Sequence, residues 1–540
     1  MNLEDCFSTF RKLPGAMPVW HGMVKERELL ALCEQAQQGG GKLLALWAED
    51  GMEKRKPGSG MDATMRVQAS FFDASLPSAE ADPASAITEF GLHVALVVAQ
   101  GMLVLTLPVS RSTPAFPDLG GLFPAAGRMQ RAVADLLGLH AAGAADPRKW
   151  LRHASWPGDV HPLRKSFDGN RTFPTGQDDY PFVAVSGEGV HEIPVGPVHA
   201  GTIEPGHFRF SVVGERALRL EERLGYKHKG IENRFEGMTL QQGAKLAGRI
   251  SGDSTVAYAW AYAQAVESAT GTAPPERALW LRALFLELER IHNHLGDLGY
   301  LGNDVALTFG FAQFWILKED LLRMNGELFG HRYLMDRVVP GGVACDLDNA
   351  GLLRVAETLR HIESNVAALK DIYDEHAGAQ DRFLTTGRVL PELAAKLGLT
   401  GLAGRASAQS WDVREQYPCA PYDRLDVQMA THRNGDVAAR VIVRFGEIAE
   451  SIRLIRLMLE QLPLGEVQAA IGNAAEGELG IGWVEGWRGE VLVALHVGRN
   501  GTIRRLHPHD PSWQNWPLLE HAIIDNIVPD FPLINKSFNL

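Results

Sequence analysis

Four short stretches of the chain gather the side chains that can move protons or hold a ligand. In GPVHAGTIEPGHFRF (196–210), His199, Glu204 and His207 lie among glycine and proline. Backbone freedom there lets side chains converge on a cavity, and it equally suits turn chemistry in solvent. GRISGDS (248–254) sets Arg249, Ser251, Asp253 and Ser254 side by side. Asp253 reads either as a cavity carboxylate or as a helix N-cap, because an alanine-rich run follows it. In GYKHKGIE (225–232), Tyr226, Lys227, His228, Lys229 and Glu232 form what their charges alone describe as a solvated basic turn. The fourth stretch, ELERIHNHLGDLG (287–299), follows a strongly apolar entry. A helix apolar on nearly all sides is buried, so Glu287, Glu289, Arg290, His292 and His294 must be paired or conduct protons. Glu289 and Arg290 are the expected members of a buried ionic network.

The thiol inventory excludes other chemistry. Cys6, Cys33, Cys345 and Cys419 are far apart with no CxxC pair, which suits a reducing compartment and offers no local metal-ligand framework; no residue is assigned to a metal. Lys+Arg 53 against Asp+Glu 65 leaves a net charge of −12, which does not invite nucleic acid. The N-terminus carries acids early and lacks a continuous apolar core, so no secretory signal is expected.

The elements that must position these residues fall into two blocks within 540 residues. Residues 1–165 read as an α+β domain. It has a helix near Val24–Gln37, strands at Leu43–Trp47 and around Met65–Phe72, and a helix over Arg128–Leu139. The most apolar stretch, LHVALVVAQGMLVLTLPV (92–109), is long enough to raise a membrane span, but Gly101 and Pro108 punctuate it as a β-hairpin. Residues 166–195 are loaded with Gly, Pro and Asp and read as a linker. Residues 196–540 read as a mainly α-helical domain with small β-hairpins: a strand pair over His207–Leu220, and a last hairpin of Glu490–Val497 with Gly501–Arg505. Leu284, Leu288, Ile291 and Leu295 make one apolar stripe, and Ile448, Ile452, Ile455 and Leu459 make another. The second helix, Glu447–Leu462, with Glu450, Arg453 and Arg456 opposite its stripe, is assigned to core packing and no chemistry.

Taken in order, GPVHAGTIEPGHFRF, ERLGYKHKGIE, GRISGDSTVAYAWAYAQAVE, ELERIHNHLGDLG, PGGV, GRAS and PYDRLDV followed by GDVAARVIVRFGEIAESI resemble the large subunit of membrane-bound group 4 nickel-iron hydrogenases and the related quinone-site subunit of complex I. RKWLRHASWPGDVHPLRKSF (148–167) resembles the end of the small peripheral-arm subunit of complex I, a fusion typical of formate-hydrogenlyase and hydrogenase-4 large subunits. The resemblance spans nearly the whole chain and implies a hydrogenase large-subunit-like fold.

The same resemblance predicts a lost metal site. The family binds nickel and iron through an early RxCGxC and a late CxxC. Here the early motif is Arg249-Ile250-Ser251-Gly252-Asp253-Ser254, and the given chain stops about where the late motif would begin. Serine oxygens are hard and stay protonated, so Ser251 and Ser254 would line the former cofactor pocket without holding the metals. For quinone, ungapped placement puts Ile203 at the family's second loop His and Gly252 at its Tyr, so neither quinone-binding group is retained. By resemblance His199, Glu204, Arg249 and Asp253 line the residual cavity, and His228 is a proton-relay or cluster-tuning residue near a partner's iron-sulfur cluster. Asp304, Asp423 and Asp426 match further family motifs, with surface salt bridges as the other reading. The implied assembly is a hydrogenase-4-like or complex I-like oxidoreductase. This subunit would bind no cofactor itself and would dock on a small iron-sulfur subunit and antiporter-like membrane subunits. A formate or carbon monoxide dehydrogenase module is a possible donor, and the place is the cytoplasmic side of the membrane, peripherally. The competing reading is a non-redox scaffold linking a peripheral protein to an ion-pumping arm, with the residual cavity filled by side chains.

Overall fold

The computed structural model describes residues 2–52, 89–174, 176–199 and 204–540. The strand expected around Met65–Phe72 lies outside them.

In the N-terminal part, α1 (Leu3–Thr9), β1 (Arg11–Lys12), β2 (Val19–Met23) and α2 (Glu26–Gln38) lead into β3 (Lys42–Met52), β4 (Glu89–Val98) and β5 (Gly101–Val109). They form a five-stranded sheet in the order β1-β2-β5-β4-β3. The apolar run is a hairpin, paired from Phe90 with Val109 to Val98 with Gly101 around Ala99–Gln100. Gly101 is required at its turn: its φ is +146°, and a Cβ there would lie 2.3 Å from the Pro18 carbonyl oxygen. The hairpin lacks polar alternation because both faces are buried. Leu92, Val94, Leu96, Leu103 and Leu105 face the core under β6 (Ala115–Pro117), α3 (Ala126–Leu137) and β7 (His140–Ala142). Ala95, Val97, Met102 and Val104 pack instead on Leu479, Ile481, Trp483, Leu492 and Ala494 from near the other end of the chain. No helix among the described residues is long and apolar enough to cross a membrane.

The segment expected as a linker ends in structure. β8 (Val190–Val195) pairs with β9 (His207–Val213), which pairs with β10 (Arg216–Arg223). Strand β8 was hidden because its residues are half exposed and include Pro194, which an edge strand tolerates. After α4 (Ile231–Phe235) and α5 (Leu240–Ala247), helices dominate: α6 (Thr255–Thr270), α7 (Glu276–Asp304) and α8 (Thr308–Phe329). A short β11 (Val338–Val339) and β12 (Gly342–Val343) precede α9 (Asn349–Glu375), α10 (Ala377–Phe383), α11 (Pro391–Leu397), α12 (Gly401–Arg405), α13 (Val413–Gln416) and α14 (Val437–Gln461). The chain closes on β13 (Leu479–Glu485), β14 (Glu490–Val497), β15 (Ile503–His509), α15 (Ser512–Ala522) and α16 (Phe531–Phe538). The result is a mixed α/β molecule with a helical C-terminal region. The last hairpin is thus a three-stranded sheet, and its β15 begins at Ile503 and runs on to His509. Strand β13 supplies the contact that sets α6: Gly480 and Gly482 face Ala265 and Ala261 so closely that backbone meets backbone.

Candidate functional site

The turn between α5 and α6 carries Ser251 and Ser254, which the resemblance sets at metal-ligand positions, and it is fastened from several sides. The Ser251 hydroxyl donates to Asp253 Oδ1 at 2.6 Å, and Arg488 forms an ion pair with the other carboxylate oxygen. The Asp253 carbonyl accepts from Trp487 Nε1 at 2.8 Å and from Asn293 Nδ2 at 2.7 Å, and Ser254 Oγ accepts from Trp487 Nε1 at 3.1 Å. Burial works to raise the Asp253 carboxyl, but Arg488 and the Ser251 hydroxyl outweigh it and hold it below the usual carboxylate range. Asp253 is not the N-cap of α6. That position belongs to Ser254, which makes no side-chain cap bond. The cap comes from Glu289 on α7, whose oxygens accept from Val256 N–H at 2.6 Å and Ala257 N–H at 3.1 Å. Burial pushes the Glu289 carboxyl up to about 8 against the pull of those two donors.

The remaining predicted residues have partners elsewhere. Arg249 is 44% exposed and pairs with Asp336 at 2.7 Å. His199 packs on the Phe208 ring, with centroids 5.5 Å apart, at the surface. Glu204 faces Lys227 at 3.8 Å with both side chains mostly exposed. His228 is exposed, its Nδ1 accepts from Gly230 N–H at 3.1 Å, and it lines a groove with Glu232, Arg505 and His507. The structure therefore gathers Ser251, Asp253, Ser254 and Glu289 at one helix start. His199, Glu204, Arg249 and His228 it ties to other partners.

A polar seam runs between α7 and α14 in the middle of the core. On α14, Arg440, Arg444, Glu447 and Ser451 repeat every three or four residues, and all are buried. On α7 the facing set is Glu287, Arg290, His294 and Asp297. The pairs run antiparallel: Ser451 Oγ donates to Glu287 at 2.6 Å, His294 Nε2 meets Glu447 at 2.8 Å, and Arg444 donates to Asp297 at 2.9 Å. Arg405 from α12 joins Glu447 at 2.9 Å to Glu485 of β13 at 2.8 Å. Arg414 from α13 bridges Asp412 at 2.7 Å and Glu287 at 2.9 Å, and Tyr422 donates to Glu287 at 2.6 Å. Arg290 also reaches Glu287, at 3.3 Å.

Charge counting gives this seam its chemistry. Arg290, Arg405 and Arg414 face four acids: Glu287, Glu447, Asp412 and Glu485. Burial would raise each acid. Arg405, His294 and Arg290 nevertheless hold Glu447 far below its usual range, and Arg414 and Arg405 hold Asp412 at about 2. Glu485 is the acid left over: burial and the neighbouring Asp412 charge push it up to about 7, with Arg405 pulling the other way. A carboxyl poised at neutral pH inside a chain of buried charges can take up and release a proton.

Sequence reasoning missed Arg405, Asp412, Arg414, Glu447 and Glu485. The helix holding Glu447, assigned only to core packing, carries a second stripe beside its isoleucines. Arg440, Arg444, Glu447 and Ser451 share the apolar stripe's spacing, and that parallel polar periodicity was the available signal. Its consequence is measurable. Folded Glu485 keeps a proton up to about pH 7 where an ordinary glutamate releases it near 4.5, so stability attached to this group falls as pH rises between those values. In Glu485→Gln that fall should shrink by on the order of 2–3 kcal/mol, read as unfolding free energies of the two chains at pH 5.5 and pH 8.

The donor set near Ser251 and Ser254 does not fit a nickel-iron group. Burial pushes all four thiols up, Cys6, Cys345 and Cys419 to about 11 and Cys33 to about 12, so none is a ready thiolate. Cys6 and Cys33 sit in the N-terminal core. Among the described residues no group of three His, Cys, Asp or Glu converges on residues 251–254. Gly252, which the ungapped placement sets at the family's Tyr, is exposed, and a Cβ there would touch nothing.

Comparison with known proteins agrees with the architecture. The family model described as respiratory-chain NADH dehydrogenase 49 kDa subunit matches residues 304–478, and that of the 30 kDa subunit matches residues 64–173. Formate hydrogenlyase subunit 5 of Escherichia coli K12 is 30% identical over 442 residues, covering 81% of this chain and 78% of that protein. Hydrogenase-4 component G of the same organism is 31% identical over 441 residues, covering 81% and 77%. A chain of the membrane-bound sulfane sulfur reductase, an archaeal respiratory membrane complex, shares the fold with a TM-score of 0.61 at 23% identity, over 65% of this chain and 97% of that one. The chain belongs to the family of formate hydrogenlyase subunit 5 and hydrogenase-4 component G, with complex I 30 kDa-like and 49 kDa-like segments fused in one polypeptide.

Proposed function

We propose that the chain is the large subunit of a membrane-associated, hydrogenase-4-like or complex I-like oxidoreductase that couples electron transfer to ion translocation without a nickel-iron site of its own. The observation that carries this reading is the α7–α14 seam, where a surplus carboxyl at Glu485 sits among buried guanidiniums and carboxylates. The seam reaches the N-terminal part of the fold, because β13 leads through Trp483 and Glu490 to Lys42 on β3. Glu289 at the start of α6, beside Asp253, is a second carboxyl held near neutrality. A redox or docking event at the 251–254 turn therefore has charged neighbours through which to act on the seam. Residues 1–165 serve as the peripheral-arm-like unit and 196–540 as the large-subunit unit. Docking on a small iron-sulfur subunit and on antiporter-like membrane subunits at the cytoplasmic face completes the proposal. An exposed aromatic group, Tyr300, Phe309 and Trp315, offers apolar surface for such contacts.

A second reading has its own observation. Asp253 is locked to Arg488 and Ser251, and Trp487 fills in against the turn, which is what a non-redox scaffold with a closed cavity requires. The two readings separate in membranes from the native host. In the coupled reading, Glu485→Gln lowers ion uptake driven by the complex by about two orders of magnitude while the subunits still co-purify. In the scaffold reading uptake is unchanged.

A further inference from the structure

We propose that Glu49, His93 and His496 form a binding site for one divalent transition-metal ion of the zinc type, at the seam between the N-terminal sheet and the C-terminal sheet. Glu49 comes from β3, His93 from β4 and His496 from β14, and ligand atoms from all three lie within 4.8 Å of one another. All three side chains are buried.

The Glu49–His93 separation suits two ligands of one ion better than a hydrogen bond, and the wider separations to His496 would contract onto that ion. Glu49 Oε1 is 3.4 Å from His93 Nε2 and 3.7 Å from His496 Nδ1. Hydrogen bonds from nitrogen to oxygen close to about 2.7–3.2 Å. Two atoms each about 2.0–2.1 Å from one tetrahedral ion stand about 3.3–3.5 Å apart. His93 Nε2, the atom facing Glu49, is moreover a buried ring nitrogen with no hydrogen-bond partner, a costly state for a core histidine, and on His496 the unpartnered nitrogen is Nε2, across the ring from the Nδ1 that lies 3.7 Å from Glu49.

The surroundings are those of an oriented ligand set. His93 turns its other nitrogen to Thr106 Oγ1 at 2.9 Å, and His21 Nε2 meets the same hydroxyl at 2.9 Å. Glu49 uses its second oxygen, Oε2, to accept from Arg504 Nη2 at 2.7 Å, which leaves Oε1 facing the histidines. Such outer hydrogen bonds fix the ring and carboxylate orientations that a metal requires. Two imidazoles and one carboxylate favour zinc-type ions over magnesium or calcium, which prefer all-oxygen cages. Trp47 stacks on His93 and also on His507, each with centroids 5.1 Å apart. Trp47 also lines a groove together with Arg505 and His507. An ion held by Glu49, His93 and His496 ties β3 and β4 to β14.

The test uses the full chain, stripped with chelator and then given Zn²⁺ or Co²⁺ alone. The expected result is one ion retained per chain through gel filtration, visible d–d absorption from bound Co²⁺, and a thermal midpoint that rises on adding Zn²⁺. His93→Gln and His496→Gln should each weaken binding by more than about a hundredfold, and Thr106→Val, which touches no ligand atom, by about 10–100-fold. The cobalt spectrum of the unmodified chain reads the site even if a variant fails to fold. No retained ion in the unmodified chain, or retention undiminished in folded His93→Gln and His496→Gln, would overturn the proposal.

Discussion

Arg405→Met should cost the chain about 3–5 kcal/mol of unfolding free energy at pH 7.5. Arg405 is 1% exposed and is held by Glu447 at 2.9 Å and Glu485 at 2.8 Å, with Asp412 at 3.5 Å. Methionine fills much of the same volume, so the loss is electrostatic and leaves no large cavity. Three acids lose a shared guanidinium in a medium too poor in water to replace it, and Glu485 loses its one cationic partner among the described residues. They respond by binding protons, so the deficit should narrow as pH falls towards 5. Adding Glu485→Gln removes the acid whose proton is already loosely divided and should recover part of the loss. Chemical unfolding of the single and double variants at pH 5 and 7.5 measures both effects. Equal stability of Arg405→Met and the parent chain at pH 7.5 would mean that the seam is hydrated, and its proton chemistry would go with it.

Gly482→Ala should be still more damaging for its size, losing more than about 3 kcal/mol or preventing soluble expression. A Cβ at residue 482 would lie 1.7 Å from the Ala261 carbonyl oxygen and 2.6 Å from its carbonyl carbon. At Gly480 the corresponding distance to the Ala265 oxygen is 1.9 Å. No side chain can swing aside, because the obstacle is helix backbone; either β13 or α6 must move. Both carry the site, since β13 ends at Glu485 and α6 begins at the turn locked by Asp253. Gly477→Ala is the control. It has open space around its Cβ position but a φ of +81°, so it should cost only about 1 kcal/mol of backbone strain. Denaturant midpoints of the two variants against the parent chain give the comparison.

These glycines also show why part of the fold was hard to see in the sequence. LGIGWVE reads poorly as a strand because glycine weakens strands in general. Its two glycines make sense only once the alanine face of α6, Ala257, Ala261 and Ala265, lies across them, a long-range contact that local pattern does not encode. The hairpin at 89–109 was legible for the opposite reason. Its turn, its β-branched and aliphatic runs and its breakers are all local, while the missing polar alternation reports the two cores it separates. The burial of the α7 charges followed from the apolar entry to that helix. Their partners did not, because Arg414 and Glu447 arrive from segments more than a hundred residues away. Glu289 shows the same limit. Its carboxylate was foreseen as part of an ionic network, whereas in the fold it caps α6 through Val256 and Ala257.

Ser251 and Ser254, which the resemblance sets at the family's thiolate positions, hydrogen-bond within a fastened turn, and we infer that they ligate no metal. The most direct measurement is elemental analysis of the intact complex purified from its native membrane and washed with chelator, with every co-purifying subunit identified. Iron from an iron-sulfur partner and no stoichiometric nickel are the expected result. One tightly held nickel per chain, lost on Ser251→Ala or Ser254→Ala, would contradict it.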